Sequence, residues 1–142
     1  MSTSAALAEL SALERILELG ADHLDVRVVC EVAADPADPA SPKLPVHAIT
    51  LGNASPHVPA AGFFGGVHGL ERIGAEVVIA YLQSLVTRMR WDSTLHRQLE
   101  SVRLVFMPLV NPGGMLRGTR ANPAGVDLNR NAPVDADDRV PW

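Results

Sequence analysis

The sequence has very little cysteine and no long apolar run, and each shortage excludes a class of protein. Cys30 is the single cysteine, so an internal disulfide and a zinc site of clustered thiolates are both excluded. No apolar stretch reaches the roughly 20 residues that cross a bilayer. The N-terminal residues lack the basic region of a secretory signal, and Glu9, Glu14 and Glu18 interrupt their apolar positions. A cytoplasmic location with no membrane partner is therefore the default expectation.

The sequence also lacks a strong excess of either charge. Sixteen Asp and Glu against twelve Lys and Arg give a formal net charge of -4, without a long run of one sign. Non-specific nucleic-acid binding through a basic surface is therefore disfavoured. Of the 142 residues, 47% are apolar and 20% are charged, which is typical of a folded globular domain. The sequence predicts one domain over residues 1–142.

The apolar pattern at the start of the chain predicts a helix followed by a strand. Leucines recur at three- and four-residue steps over residues 7–17, with Ser4 as a cap and Gly20 as a stop. Alternation over residues 24–32 predicts a half-buried strand. Cys30 lies at an apolar position of this strand, so it is interpreted as a small buried hydrophobe.

The following segments alternate between strand and helix. They are predicted as a strand over 46–51, a strand over 60–67, a helix over 71–90, a short helix over 93–100 and a strand over 102–110. The second strand is expected to run antiparallel to the first. The strand over 60–67 is apolar and rich in glycine, which predicts a central strand covered on both faces. The strand–helix–strand order predicts a parallel crossover, so the fold class is α/β with a mixed, mostly parallel sheet and flanking helices.

The loop after the strand over 60–67 carries a candidate metal site. Ligands in open α/β sheets bind beyond the carboxyl ends of the strands. His68 lies at such a strand end, and Glu71 follows three residues later at the start of a helix. This spacing directs both side chains towards one point, and imidazole nitrogen with carboxylate oxygen is a common zinc ligand pair. The alternative is a structural histidine beside a glutamate that is favoured by the helix dipole.

The loop after the last predicted strand carries three arginines and an acid. Arg117, Arg120 and Arg130 could grip a carboxylate with paired hydrogen bonds or polarise a carbonyl beside a metal. Asp127 could accept the second ring N–H of His68 and fix its tautomer. The alternative is a solvated loop of turn-forming residues whose arginines face water.

Taken in order, these segments resemble the zinc carboxypeptidase family. The match rests on HGLE at 68–71, NPGG at 111–114, Arg117, and GVDLNRN at 125–131. It spans about residues 46–131. The resemblance implies an incomplete, N-terminal part of a catalytic domain with the phosphorylase/hydrolase-like fold of that family, and zinc as the cofactor. In the family a zinc-bound water, assisted by a glutamate base, attacks the last peptide bond of a peptide.

The resemblance also implies roles for individual residues. His68 and Glu71 resemble the first two zinc ligands, and Asp127 resembles the partner that orients His68. Arg117 resembles the residue that stabilises the developing oxyanion.

The remaining implied roles concern substrate binding. Asn129 and Arg130 resemble the pair that binds the free carboxylate of the substrate's last residue, and Arg120 is assigned only to the pocket. The expected partner is therefore a peptide or an N-acyl amino acid with a free carboxylate.

The sequence departs from the family pattern in several places. The family's third zinc ligand, a histidine, and its base, a glutamate, come later, yet this sequence has no His after His96 and no Glu after Glu100. Ala132 and Leu116 stand where aromatic residues are usual, which affects the shape of the pocket. We therefore expect weak zinc binding and no appreciable peptidase activity from the 142 residues alone.

Two alternatives stay open at this point. A deacylase of N-acyl amino acids, of the aspartoacylase or succinylglutamate desuccinylase type, shares the His-x-x-Glu and Asp-Leu-Asn-Arg elements. A non-catalytic domain could use the same pocket to bind peptide C-termini without cleaving them. Self-association through an exposed sheet is a further expectation.

Overall fold

A computed structural model describes residues 7–132, and this part of the chain forms four strands and four helices. The elements are α1 (Ala8–Leu19), β1 (Leu24–Ala33), β2 (Lys43–Gly52), β3 (Ala60–Phe64), α2 (Arg72–Arg88), α3 (Ser93–Leu99), β4 (Arg103–Met107) and α4 (Pro112–Arg117). The first seven follow the predicted order, and α4 was not predicted. Ser4, the expected cap of the first helix, lies outside the described residues. None of these helices is long and apolar enough to cross a membrane.

The four strands form one mixed sheet in the order β1-β2-β4-β3. β3 and β4 are parallel across the α2–α3 crossover, and β1 and β2 are antiparallel, so both of these predictions are confirmed. β2 and β4 are also antiparallel, so the expectation of a mostly parallel sheet is wrong for the described strands. β4 lies between β2 and β3, antiparallel to β2 and parallel to β3, so two of the three strand pairs are antiparallel.

The position of β3 in the sheet differs from the prediction. β3 lies at an edge, and no strand within residues 7–132 pairs with its outer side. Ala60, Ala61 and Gly62 are exposed, and Phe64 is 58% exposed. The prediction of a central strand covered on both faces is therefore wrong for the described residues. The covering segments that it anticipated are not among the described residues.

The hydrophobic core lies on one face of the sheet. Register places Ile49 beside Phe106, and both are fully buried. They belong to one cluster with Leu13 of α1, Leu82 of α2 and Leu99 of α3. The helices therefore cover this face of the sheet. Their packing fixes the positions of the ends of β3 and β4 relative to each other.

α2 has a wider apolar surface than the core uses. Its buried side chains include Val78 and Leu82. Ile73, Val77 and Tyr81 were predicted on the same apolar side, but they are 69%, 59% and 40% exposed. Their four-residue spacing gives a second, exposed apolar stripe along α2.

The first strand is more exposed than its alternation predicted. Cys30 is exposed, so the interpretation of Cys30 as a buried hydrophobe is wrong. β1 is the opposite edge strand of the sheet, and a bulge interrupts its register with β2 between Val28 and Cys30. Val26 and Val28, which precede the bulge, are 39% and 49% exposed, so the burial was misassigned because β1 is an edge strand that little of residues 7–132 covers.

Candidate metal and carboxylate site

The loops that follow β3 and β4 are joined by backbone hydrogen bonds. Val110 N–H donates to the carbonyl of Gly65, and Asn111 N–H donates to the carbonyl of Gly66. Gly66 has φ of 64°, a left-handed conformation that favours glycine. Because β3 and β4 are parallel, their carboxyl ends share one edge of the sheet, and these bonds fix the two loops against each other.

Close backbone packing brings the His68 loop down onto α4. A Cβ atom at Gly69 would lie 2.0 Å from the carbonyl carbon of Gly114, so only glycine fits there. The buried Asn111 side chain adds a second link, because its Nδ2 donates to the carbonyl of Val67. The imidazole of His68 is consequently buried at a defined position.

Sequence reasoning missed α4, although its end signals are present. The Asn111 side chain accepts a hydrogen bond from the backbone N–H of Gly114, which caps the helix. Pro112 occupies the first turn, and Gly118 ends the helix with φ of 63°. A cap residue, proline in the first turn and a terminal glycine could have identified a helix too short to show periodicity.

The structure brings His68, Glu71 and Asp127 together. His68 Nδ1 lies 3.2 Å from Glu71 Oε1, and His68 Nε2 lies 3.2 Å from Asp127 Oδ1. Glu71 precedes α2 at its capping position, but its carboxylate makes no capping hydrogen bond to the helix. Its carboxylate instead faces the imidazole of His68.

The arrangement around His68 fits a metal ion. A neutral imidazole has one N–H, so it can donate to only one of two carboxylates. If the N–H on Nε2 donates to Asp127, Nδ1 can face Glu71 Oε1 favourably only with a cation between them, either a second proton or a metal. Two ligand atoms of a tetrahedral zinc site lie about 3.3 Å apart, as zinc–nitrogen and zinc–oxygen bonds of about 2.0–2.2 Å require. Within residues 7–132, no third His, Cys, Asp or Glu completes a metal-binding cluster.

Asp127 is the carboxylate that the charged and polar groups of the loop after β4 surround. Its desolvation opposes ionisation, but hydrogen bonds from Arg120, from the Arg130 backbone N–H and from His68 outweigh that cost and lower the pKa of Asp127 to about 2. Arg120 Nε donates to Asp127 Oδ2 at 2.7 Å, and Arg130 Nε lies 3.6 Å from the same oxygen. Asp127 is therefore a carboxylate at neutral pH and can orient the His68 ring.

Arg120 and Arg117 occupy different places. Arg120 contacts Asp127 and also lies 3.6 Å from Glu71, so it belongs to the site. Arg117 donates to the backbone carbonyls of Ala34 and Pro123, and it forms an ion pair with another side chain at 3.0 Å, that of Asp35 in the β1–β2 connection. None of these contacts is with the His68–Glu71 pair. Gly118 reverses the chain between the two arginines, which explains why they diverge.

Asn129 and Arg130 lie beside Asp127 in an exposed turn. The Asn129 backbone N–H donates to Asp127 Oδ1 at 3.2 Å, and that of Arg130 does so at 3.3 Å. The same carboxylate thus orders the turn and contacts His68. Asn129 and Arg130, the predicted carboxylate-binding residues, are thus linked to His68 through Asp127.

The sequence and the fold both match known carboxypeptidases. Residues 41–139 match the family profile described as zinc carboxypeptidase, so the chain belongs to the zinc carboxypeptidase family. It is 35% identical over 75 residues to carboxypeptidase SOL1 of Arabidopsis thaliana, covering 53% of this chain and 15% of that protein. It is 31% identical over 97 residues to carboxypeptidase E of Caenorhabditis elegans, covering 59% of this chain and 21% of that protein.

A solved metallo-carboxypeptidase from Burkholderia cenocepacia has the same fold over most of this chain. The two share a TM-score of 0.63 at 21% identity, and the match covers 91% of this chain and 33% of the other. The chain thus spans about a third of that structure and a quarter or less of the two relatives named above. Family membership is established, and zinc is the metal that this family implies.

Proposed function

We propose that this chain supplies two zinc ligands and the carboxylate-recognising arginines of a hydrolase that removes C-terminal residues from peptides. The observation that carries the proposal is the position of His68, whose two ring nitrogens face Glu71 and Asp127. Arg120 contacts both of these carboxylates. A solvated surface loop would not be expected to gather two carboxylates and a guanidinium around one buried imidazole.

The metal-binding roles follow from the donor atoms. His68 Nδ1 and Glu71 Oε1 would bind zinc, which when bound activates water and polarises the carbonyl of a substrate. Asp127 would accept a hydrogen bond from the N–H of His68 Nε2, which leaves the lone pair on Nδ1 for the metal and fixes the ring plane. The low pKa of Asp127 means that this partner stays charged wherever a peptidase would operate.

The arginine positions favour Arg120 over Arg117 for oxyanion stabilisation. Arg120 lies beside Glu71, so a carbonyl presented to the metal would meet its guanidinium, and a donor at that place stabilises a developing oxyanion. We therefore assign this role to Arg120 in place of Arg117. Arg130 and Asn129 would bind the terminal carboxylate of the substrate, because they lie on the same loop beside Asp127.

The described residues supply only part of a zinc coordination shell. Two protein ligands leave the other positions of a tetrahedral site to water, so the 142-residue chain should bind zinc weakly. A glutamate base is also absent from the sequence after Glu100. Positioned proton transfer typically contributes about 10²–10⁴-fold, so we expect no measurable peptidase activity from this chain alone.

Calorimetric zinc titration of the chain and matched variants tests the metal site. We expect one weak site, which His68→Ala or Glu71→Ala abolishes. Asp127→Asn should weaken zinc binding about 10–100-fold, as the loss of a histidine-orienting carboxylate usually does. His57→Ala is the control, because His57 is an exposed histidine on another loop. Zinc binding that is indifferent to His68→Ala would overturn the proposal.

A second experiment separates a peptidase from a deacylase or a binding domain. Zinc-loaded chain is titrated with an acetylated dipeptide, its C-terminal amide and an N-acetyl amino acid, and binding is followed by NMR. Tighter binding of the acetylated dipeptide with a free C-terminal carboxylate than of its amide supports recognition of peptide C-termini. This preference should be lost in Arg130→Ala. Tighter binding of the N-acetyl amino acid would favour the deacylase instead.

A further inference from the structure

An ion pair between the buried Glu9 and the exposed Arg72 links α1 to the start of α2, directly beside the candidate metal ligands. Glu9, in the first turn of α1, has a side chain only 9% exposed, and its Oε1 accepts a hydrogen bond from Nη1 of Arg72. Nη2 of Arg72 donates to the carbonyl of Met115 in α4 at 2.9 Å. One guanidinium thus joins three helices, and it is carried by the residue that follows Glu71.

Both members of this pair are locally unfavourable. Arg72 is the first residue of α2, where the helix dipole disfavours a positive charge. Glu9 is a buried carboxylate on the core side of an otherwise apolar helix surface, and its Oε2 has no hydrogen-bond partner within the described residues. The opposite charges of Glu9 and Arg72 compensate each other. Residues that oppose a local preference, such as a positive charge at a helix start or a buried carboxylate, are expected near functional sites.

Arg72 connects α1 and α4 directly beside the loop that carries the proposed metal-binding pair. Met115 belongs to α4, and the Gly69 backbone packs directly on Gly114 and Met115. His68 and Glu71 lie on either side of Gly69 and Leu70 in the same loop. The position of the α2 start relative to α4 therefore sets the separation between His68 Nδ1 and Glu71 Oε1.

We propose that Glu9 and Arg72 are positioning residues for the metal site: Glu9 holds the Arg72 guanidinium on the Met115 carbonyl, and this fixes Glu71 opposite His68. The inference rests on the proposed zinc-binding function. It also gives α1, which lies outside the family match over residues 41–139, a part in the site. Neither residue contacts the metal-binding atoms, so neither is a catalytic residue.

The test uses the complete 142-residue chain with three single variants. Glu9→Gln keeps the shape and removes the charge. Arg72→Lys keeps the charge, but a single ammonium group does not reproduce the fork that reaches both Glu9 and Met115. Arg88→Gln is the matched control, because Arg88 forms an ion pair with Asp92 near the other end of α2 and is 42% exposed, against 43% for Arg72.

Three quantities are measured for each variant: zinc affinity by calorimetry, amide hydrogen exchange over residues 68–72, and the thermal midpoint. Glu9→Gln and Arg72→Lys should each weaken zinc binding about tenfold, the lower end for residues that orient metal ligands. They should also speed exchange over residues 68–72. Arg88→Gln should leave zinc affinity and local exchange unchanged, even where it lowers the thermal midpoint.

A double variant, Glu9→Gln with Arg72→Lys, tests whether the two residues act as one unit. Its zinc affinity should be no weaker than that of the worse single variant. Unchanged zinc affinity in Glu9→Gln and Arg72→Lys would overturn the inference, as would an equal loss in Arg88→Gln. If His68→Ala also leaves zinc binding unchanged, the proposed function itself fails, which is a separate result.

Discussion

The two faces of the sheet are built from similar apolar side chains but have different surroundings. On one face, Ile49 and Phe106 are completely buried beneath the helices. On the other face, Phe64 is largely exposed, although it lies one residue from Phe63, which stacks on the Phe106 ring at a centroid distance of 5.1 Å. The comparison shows that apolar composition marks a residue as suited to burial, while a neighbouring segment decides whether burial occurs.

The largest expected effect separates a phenylalanine on the covered face from one on the open face. Phe106→Ala should lower the free energy of unfolding by about 3–5 kcal/mol, because it leaves a cavity in the core. Phe64→Ala should change it by less than about 0.5 kcal/mol, as surface substitutions usually do. Urea denaturation at two protein concentrations measures both. A large, concentration-dependent cost for Phe64→Ala would show that the open face is covered in solution.

The next effect compares two glycines near the site, Gly69 in the His68 loop and Gly74 in α2. Gly69→Ala should destabilise the chain by about 1–3 kcal/mol, since the added Cβ would meet the Gly114 backbone. Gly74→Ala, in α2, should stabilise it by up to about 1 kcal/mol, because nothing lies within 4 Å of the added atom. Thermal unfolding with matched calorimetry distinguishes the two. Equal effects would mean that the His68 loop does not pack on α4.

A smaller effect on stability, with a clear effect on association, is expected for the exposed stripe of α2. We propose that Ile73, Val77 and Tyr81, with the free edge of β3, promote self-association of the chain. Val77→Lys should shift the sedimentation profile towards monomer and change the unfolding free energy by less than about 0.5 kcal/mol. Glu76→Lys, on a neighbouring exposed position without apolar surface, is the control. Identical profiles for the two variants would contradict the proposal.

The smallest effect concerns Arg117, which lies away from the site. Asp35→Asn removes the carboxylate partner of Arg117, and both side chains are well exposed. The cost in stability should be less than about 1 kcal/mol, as for other exposed ion pairs. Zinc affinity should not change, whereas Arg120→Ala, at the site itself, should alter it. A change in zinc affinity on Asp35→Asn would contradict the placement of Arg117 away from the metal-binding region.

Much of the fold could be predicted from local patterns. The helix at residues 8–19 and the crossover from β3 to β4 follow from apolar spacing over single segments. α4 was missed because six residues are too few to show a helical period. Cys30 was assigned to the core because alternation does not show that β1 is an edge strand whose side chains are largely exposed. The edge position of β3 was missed because strand order depends on pairings between distant segments.

The candidate site also has features that could be predicted from the sequence and one that could not. The convergence of His68 and Glu71 could be predicted, because three residues at the start of a helix bring two side chains to one point. The contact of His68 with Asp127 was expected from the family resemblance and spans 59 residues of sequence. The separation of Arg117 from Arg120 could not be predicted, since both follow the same strand and only the reversal at Gly118 divides them.

The sequence by itself determined the type and order of most elements and the family of the chain. These depend on apolar periodicity, caps, glycines and short motifs, all of which act over a few neighbouring residues. The tertiary structure alone decided which sheet face is covered, which arginine reaches Glu71, and how Glu9 of α1 meets Arg72 of α2. These depend on contacts between segments far apart in the chain, where packing and the pairing of buried charges override local preference.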